Sequence, residues 1–512
     1  MEPTSPSPSA PASRTSQAVL LALGQVLNMA LGVALSAGLA WTLPDRSVYG
    51  AFQQILLVFS VLAGPMAVGL PNAVYHFLPR LEPAARKGFL AAAHAVLFAA
   101  GAVLSAGLFF GADAIADRLG SPHLAGMLRV YFPLPLFLLP QMLVDPILVC
   151  QARLGLMVGL QVLTRAATAA GVLIPTFLGM DLTVGLFLWV LLGAAIEVAS
   201  VALVFRPLRS VPAGWRPGLG RDTLRFVLPI AGITVLSPLA LAGDKMFVAA
   251  LFGAETYAVY VNGTYAVSMS YTVILRAQAI LLADFSRLSA AGRREEMALL
   301  WRRASVKTAL VLFAITGIVF AGAEDIVAVL FSTRYADSAS VMRVAVLGVM
   351  PRILLTSPAL QAEGRSGWYA TITLVASVVN PACVVLFGYV LGLGAMGAAT
   401  GFAIGEFVHG AWQVFLIRKV LKEPPARVIP FGRLAGIAAC AFATGASTFG
   451  LARWLLPDLP AVARVAIAGV VFPVPYLAAV MRSRFARFDE DVAPLLRVLR
   501  VPAHRVPAWL RG

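Results

Sequence analysis

The chain has 512 residues, 60% of them hydrophobic and 12% charged, with a mean hydropathy of +0.85. Soluble domains are about half apolar and about a quarter charged, so this composition excludes a water-soluble globule and makes the bilayer the solvent. The formal net charge of +16 comes from Lys and Arg placed between apolar runs, and it needs no nucleic acid to explain it.

Taken in order, residues 1–16 are Pro/Ser-rich with Arg14 as their one base, and they read as a disordered tail. The apolar run that follows is too long for a secretory signal and is predicted to be the first membrane helix. Stretches of about 20 residues can cross a ~30 Å hydrocarbon core as helices. They are predicted near 17–43, 51–77, 89–111, 127–151, 156–178 and 183–205. Six more fall near 226–252, 258–284, 308–331, 341–363, 367–391 and 398–417, and a last pair near 434–452 and 461–481. The expected fold is therefore an all-α polytopic membrane protein of about fourteen helices. Residues 17–208 and 222–420 form an N-lobe and a C-lobe of six helices each, 430–482 hold two extra helices, and 483–512 form a basic tail. That tail mixes Arg with Leu495, Leu496, Leu499 and Trp509, which suits a helix lying on the inner surface or a partly disordered segment.

With the N-terminus inside, 29 of the 40 Lys and Arg fall in cytoplasmic loops and tails. The outer loops and their margins hold seven: Arg46, Arg118, Arg129, Arg334, Arg343, Arg453 and Arg464. This positive-inside bias predicts both termini in the cytoplasm. The inter-helix loops leave no room for an extramembrane catalytic domain, so the activity is expected inside the bundle. Cys150, Cys383 and Cys440 lie in apolar runs without metal-binding spacing, and the five histidines are scattered. No metal site, cofactor or enzymatic motif is read from the sequence.

Two copies of one plan run through the first twelve helices. Asp45-Arg-Ser-Val-Tyr49-Gly50 leads into helix two as Gly253-Ala-Glu-Thr-Tyr257 leads into helix eight. Helix four opens on Met127-Leu-Arg129 and closes on Gln151-Ala-Arg153, while helix ten opens on Val341-Met-Arg343 and closes on Gln361-Ala-Glu-Gly364-Arg365. Six helices per copy give both halves the same polarity, a parallel repeat about an axis along the membrane normal.

Leu330-Phe-Ser-Thr-Arg-Tyr335 and the following run to Arg343, then Gln361-Ala-Glu-Gly364-Arg365, Asn380-Pro381 and Gly392-Leu-Gly394-Ala-Met-Gly397, resemble the second lobe of bacterial polysaccharide transporters. The first lobe is similar at Tyr49-Gly50 and Gly69-Leu-Pro-Asn72, and Asp244-Lys245 ahead of Tyr257 resembles the family's passage at helix seven, with Lys where Arg is commoner. The resemblance covers most of 17–420. It implies the multidrug/oligosaccharidyl-lipid/polysaccharide exporter superfamily and two six-helix lobes around a central cavity in the bacterial inner membrane. The implied activity is flipping of undecaprenyl-pyrophosphate-linked oligosaccharides for O-antigen, capsule or exopolysaccharide synthesis. Implied partners are the lipid-linked oligosaccharide, membrane lipids, a coupling ion (proton or sodium) and polysaccharide polymerase or assembly proteins.

Arg165, Lys245, Arg276 and Arg352 fall within predicted helices. Each costs roughly 2.5–3.5 kcal/mol at a helix centre, so each must face a wet cavity or an acid. They are candidate ligands for a pyrophosphate; the competing reading is internal pairing, such as Arg165 with Glu197. Asp244 and Lys245, being consecutive, are not expected to face one another. Asp145, Glu197, Asp244 and Glu406 are candidate coupling acids. Asn28, Gln53, Gln54, Asn72, Tyr75, Asn262, Tyr265 and Tyr271 are candidate sugar contacts or interhelical hydrogen bonders. Pro133, Pro135, Pro140 and Pro146 in helix four, Pro229 and Pro238 in helix seven, and Pro351 and Pro358 in helix ten are expected to bend their helices. The final two helices are expected to pack peripherally without a deep charge pair. Two other readings stay open: a cation-coupled multidrug exporter of the same superfamily, and a membrane-embedded glycan polymerase or ligase.

Overall fold

The structure, a computed structural model, describes residues 14–421 and 429–493. The tails expected at either end therefore lie largely outside the described residues. Regular structure among the described residues is helical throughout. Among the described residues eleven helices are long and apolar enough to cross a membrane, and a bent pair makes twelve. This is a multi-pass membrane protein. Large apolar side chains such as Phe110, Trp454 and Val470 are mostly exposed, as a hydrocarbon solvent allows.

The helices are α1 (Arg14–Thr42), α2 (Arg46–Met66), α3 (Leu70–Phe77), α4 (Pro83–Phe110), α5 (Ala112–Arg118), α6 (Leu124–Tyr131), α7 (Leu134–Gln141), α8 (Val144–Cys150), α9 (Leu154–Phe177) and α10 (Leu182–Phe205). Then come α11 (Leu219–Gly263), α12 (Tyr265–Ala290), α13 (Arg294–Phe331), α14 (Ser338–Leu347), α15 (Thr356–Ala362), α16 (Ser366–Val384) and α17 (Gly394–Leu421). The last three are α18 (Phe431–Leu455), α19 (Ala461–Val471) and α20 (Pro473–Arg482). The eighth and twelfth segments expected from sequence form as α12 and α17 but are not among the spans counted by apolarity. Gly394, Gly397, Gly401, Gly405 and Gly410, together with Glu406 and His409, dilute the hydropathy of α17.

Packing divides the chain into two compact units whose bounds differ from lobes drawn on the repeat. The first comprises Met1–Leu43, Leu62–Ile115 and Leu124–Val235; the second comprises Pro44–Val61, Ala116–His123 and Leu236–Gly512.

In the first unit α1 lies along α9. A Cβ on Gly24 would stand 2.4 Å from Val158, and one on Gly38 would stand 2.6 Å from Leu173. Small residues thus let two helices approach where no hydrophobic drive exists between them. Helix four bends by 59° between α6 and the α7–α8 segment, at Phe132-Pro133, where proline removes a ladder bond.

In the second unit Gly253, at φ 75°, joins two helical stretches of α11. That left-handed conformation suits glycine alone. Gly50 of α2 packs so closely that a Cβ would stand 2.0 Å from the Ala254 carbonyl oxygen. Helix ten is also broken, into α14, a 3₁₀ turn at Met350–Ile353 and α15. The carbonyl of Leu355, freed at the break, accepts from Trp301 Nε1 at 3.2 Å.

The extra helices correct one expectation, because a buried charge cluster fastens them. Asp325 of α13 is 3% exposed. It accepts from Arg453 Nη2 at 3.1 Å and from Arg464 Nη2 at 2.6 Å. Glu324 meets Arg343 at 2.7 Å and Arg453 at 2.9 Å. Along the same contact, Gly317 and Gly445 bring α13 and α18 backbone to backbone. Both Arg453 and Arg464 read as simple outer-loop bases, because their acid lies far away in sequence. Removing the acid takes from Arg464 its carboxylate and leaves Arg453 with Glu324 alone. Asp325→Asn should therefore lower unfolding free energy by about 2–4 kcal/mol, as measured by denaturant titration in micelles, and an unchanged value would contradict the role.

Candidate functional site

The first unit holds a polar strip on α8 and α9. Asp145 accepts a hydrogen bond from Gln161 Nε2, and Gln141 donates to Thr164 Oγ1 at 3.1 Å. Arg165 sits midway along α9 with its side chain exposed. Its Nη2 passes 3.8 Å from where a Cβ on Gly32 would be, so glycine on α1 leaves it room. Among the described residues no carboxylate pairs with Arg165. The expected alternative partner, Glu197, is 1% exposed, and neither of its carboxylate oxygens has a hydrogen-bond partner. The Arg165–Glu197 pair is therefore not formed. Asn28 donates to Gly24 O within its own helix at 3.0 Å. Asn72 and Tyr75 are exposed.

The second unit contains two further deep cations, and both are occupied. Lys245 Nζ lies 3.5 Å from Asp244 Oδ2. The expectation that consecutive residues would not face one another fails here because the flexible four-carbon stem of Lys lets its ammonium turn back. Asp244 also accepts from Tyr260 Oη at 3.0 Å.

Arg352 lies in the 3₁₀ turn that breaks helix ten. Its Nε and Nη2 each donate to Glu406 at 2.9 Å, a bidentate fork. Asn380 Nδ2 donates to Glu406 Oε1 at 2.7 Å, and His409 Nδ1 lies 4.0 Å from Oε2. The guanidinium also faces the rings of Tyr271 and Phe402 at 5.5 and 5.8 Å. Planar, bidentate, charge-assisted contacts of this kind are the strong ones. They make Arg352 and Glu406 a structural pair. The side chain of Arg276 lies outside the described residues.

Nearby, Tyr49 donates to Asn262 Oδ1 at 2.8 Å and accepts from Gln53 Nε2 at 2.8 Å. Gln54 donates to the carbonyl of Leu119 at 3.0 Å. Tyr265 packs edge-on to Phe331. Arg46 lies 3.3 Å from Asp337 and 3.8 Å from Glu255 and donates to the carbonyl of Arg334. Asn262 and Tyr49, and Arg46 and Asp337, come from different copies of the repeat, which is why sequence reasoning left their pairing unread. His409 was likewise passed over, although it stands one turn from Glu406.

The model of one family, described as polysaccharide biosynthesis protein, matches residues 45–340. The chain belongs to the polysaccharide biosynthesis protein family. No curated protein matches its sequence. Its fold is similar to that of a lipid II flippase MurJ in an inward closed conformation, with a TM-score of 0.71, 12% identity, and 91% of this chain and 100% of that one covered. It is also similar to an inward-facing multidrug resistance MATE family transporter of the MOP superfamily, with a TM-score of 0.67, 14% identity, and 79% and 99% coverage. A third similar structure is a MOP superfamily transporter from Pyrococcus furiosus with a binding pocket of reverse polarity, at a TM-score of 0.56, 16% identity, and 81% and 98% coverage. These likenesses place this family member in the same helical fold.

The Arg352–Glu406 fork yields a direct check. Arg352→Met and Glu406→Met alone should each cost about 3–5 kcal/mol by leaving a buried charge unpaired. The double variant should recover most of that loss, because two apolar side chains replace the pair. Unfolding titrations on all three variants measure the cycle; additive losses would mean the two groups act independently.

Proposed function

We propose that this protein is a flippase that moves an undecaprenyl-pyrophosphate-linked oligosaccharide from the inner to the outer leaflet of a bacterial cytoplasmic membrane. The glycan would serve a cell-surface polysaccharide such as O-antigen, capsule or exopolysaccharide. Family membership supports the link to polysaccharide synthesis, and the fold supports a transporter rather than a polymerase or ligase.

The observation that carries the mechanism is Arg165. A pyrophosphate crossing hydrocarbon must exchange its hydration for fixed donors, and a guanidinium fork supplies them. Lys245 and Arg352 already face acids, whereas Arg165 has none among the described residues. Arg165 is therefore the cargo cation, with Arg276 as a second candidate, while Lys245 and Arg352 hold the scaffold. Asn28, Asn72, Tyr75, Asn262, Tyr265 and Tyr271 stay assigned to sugar contacts.

Two lobes at 17–208 and 222–420 would rock to give alternating access, with fourteen spans and both termini in the cytoplasm. The contacts from Arg46 and Tyr49 to the second copy of the repeat would have to break and re-form in each cycle. Coupling to a proton or sodium ion would run through an acid. Asp244 and Glu406 are held by cations and Asp145 by an amide, which leaves Glu197, buried and without a partner, as the group free to take the ion. That same acid favours the rival reading, a cation-coupled drug exporter. Polymerase or assembly proteins would receive the flipped glycan.

Arg165→Gln should reduce transfer of a lipid-linked oligosaccharide in proteoliposomes at least about tenfold, the share of one charge-assisted contact of about 1.5–3 kcal/mol, without loss of folded protein. Full transfer would overturn the assignment. Glu197→Gln should keep downhill transfer and lose its response to an imposed proton or sodium gradient. Gradient-driven drug efflux without glycan transfer would select the exporter instead.

A further inference from the structure

A cluster on α16 and α17 has no part in the site described above. Arg365, just ahead of α16, places its guanidinium 4.3 Å from the ring centre of Trp368. Lys419, in the last turns of α17, brings Nζ to 5.7 Å from that same ring and 4.3 Å from the ring of Phe415. Trp412 stacks on Phe415 with centroids 5.1 Å apart, and its Nε1 donates to Thr371 Oγ1 at 3.3 Å. Two cations from separate helices thus converge on one indole, with a second indole and a phenyl ring beside them.

Arg287, Arg293, Arg294 and Arg433 each face a carboxylate. Glu363, two residues before Arg365, is turned away to Ser289 and Arg294. Among the described residues no carboxylate pairs with Arg365, Arg418 or Lys419. Lys419 and Arg418 are exposed and Arg365 is half-buried. Among the described residues the cluster therefore presents positive charge without a facing carboxylate on an aromatic floor, at the polar ends of two apolar helices.

We propose that this cluster is a binding site for the phosphate headgroup of an anionic phospholipid of the phosphatidylglycerol type. Aromatic rings settle at the membrane–water interface, and nearby cations attract an anionic headgroup there. The guanidinium and ammonium tips meet the phosphate, while the rings of Trp368, Trp412 and Phe415 lie against the glycerol and upper acyl carbons. A free phosphate would use the cations but leave the rings idle. The orientation proposed above would put this site in the inner leaflet; the site itself depends neither on that orientation nor on the cargo.

The test titrates the full-length protein in detergent with phosphatidylglycerol or phosphatidylcholine carrying brominated acyl chains, reading quenching of tryptophan fluorescence. The native protein should be half-quenched at about tenfold less phosphatidylglycerol than phosphatidylcholine, as two interfacial cations would give. Arg365→Gln with Lys419→Gln should erase that preference, and each single change should reduce it if the double variant fails to fold. Trp368→Phe, which keeps a ring for the cations, should reduce the phosphatidylglycerol-selective part of the quenching signal to the share that Trp412 gives. A preference that survives the double substitution, or one abolished by millimolar inorganic phosphate, would overturn the proposal.

Discussion

Charge at membrane depth is the constraint on which the rest of this structure depends. A guanidinium or carboxylate in hydrocarbon must find a partner, reach water or be neutralised. Arg352 meets that demand with a two-toothed contact to Glu406, to which Asn380 adds a third donor. The pair requires Arg352 to leave the helical path, and the 3₁₀ turn at Met350–Ile353 places it there. Asp244 and Lys245 meet the same demand along a single helix, with Tyr260 donating to the carboxylate. Asp325 meets it by drawing in Arg453 and Arg464, and so fixes α18 and α19 against α13. Against these settled groups, Arg165 and Glu197 stand out because their charge is not spent on each other.

Glycine and proline set the frame that makes these meetings possible. In α17, Gly401 and Gly405 let the helix press against Cys383 and Asn380 of α16. That close approach brings Asn380 within 2.7 Å of Glu406. A larger side chain at Gly405 would push the two helices apart and separate the amide from the acid. Prolines act at the other extreme, breaking helices four and ten where α6 gives way to α7 and where α14 gives way to Arg352. Small residues bring helices together and prolines interrupt them, so the polar contacts fall where the backbone permits.

How much of this was legible in the sequence follows from the range of each signal. Apolar length is local, so most spans could be read directly; α12 and α17 were expected at the right places even though Arg276 and the glycine-rich run lower their hydropathy. The bend in helix four was legible because proline acts on its own helix. Pairing over long separations was not. Nothing near Arg453 announces Asp325, and nothing near Arg352 announces Glu406, because composition reports that a charge is deep but not which helix faces it. The deep cations could be named from sequence, but which of them face an acid could not. Arg352 faces Glu406, whereas Arg165, midway along α9, is exposed and has no carboxylate partner among the described residues.

Arg165, unlike Arg352, has no carboxylate partner among the described residues, and the proposed flippase would use it to meet an anionic lipid cargo. The most direct measurement of that role is calorimetric binding of a short-chain prenyl diphosphate to the full-length protein in detergent, alongside the matching prenyl alcohol. The diphosphate should bind at least about tenfold more tightly than the alcohol, in line with a charge-assisted contact, and Arg165→Gln should remove most of the difference. Equal binding of the two ligands, or an unchanged difference in the Arg165→Gln protein, would contradict it.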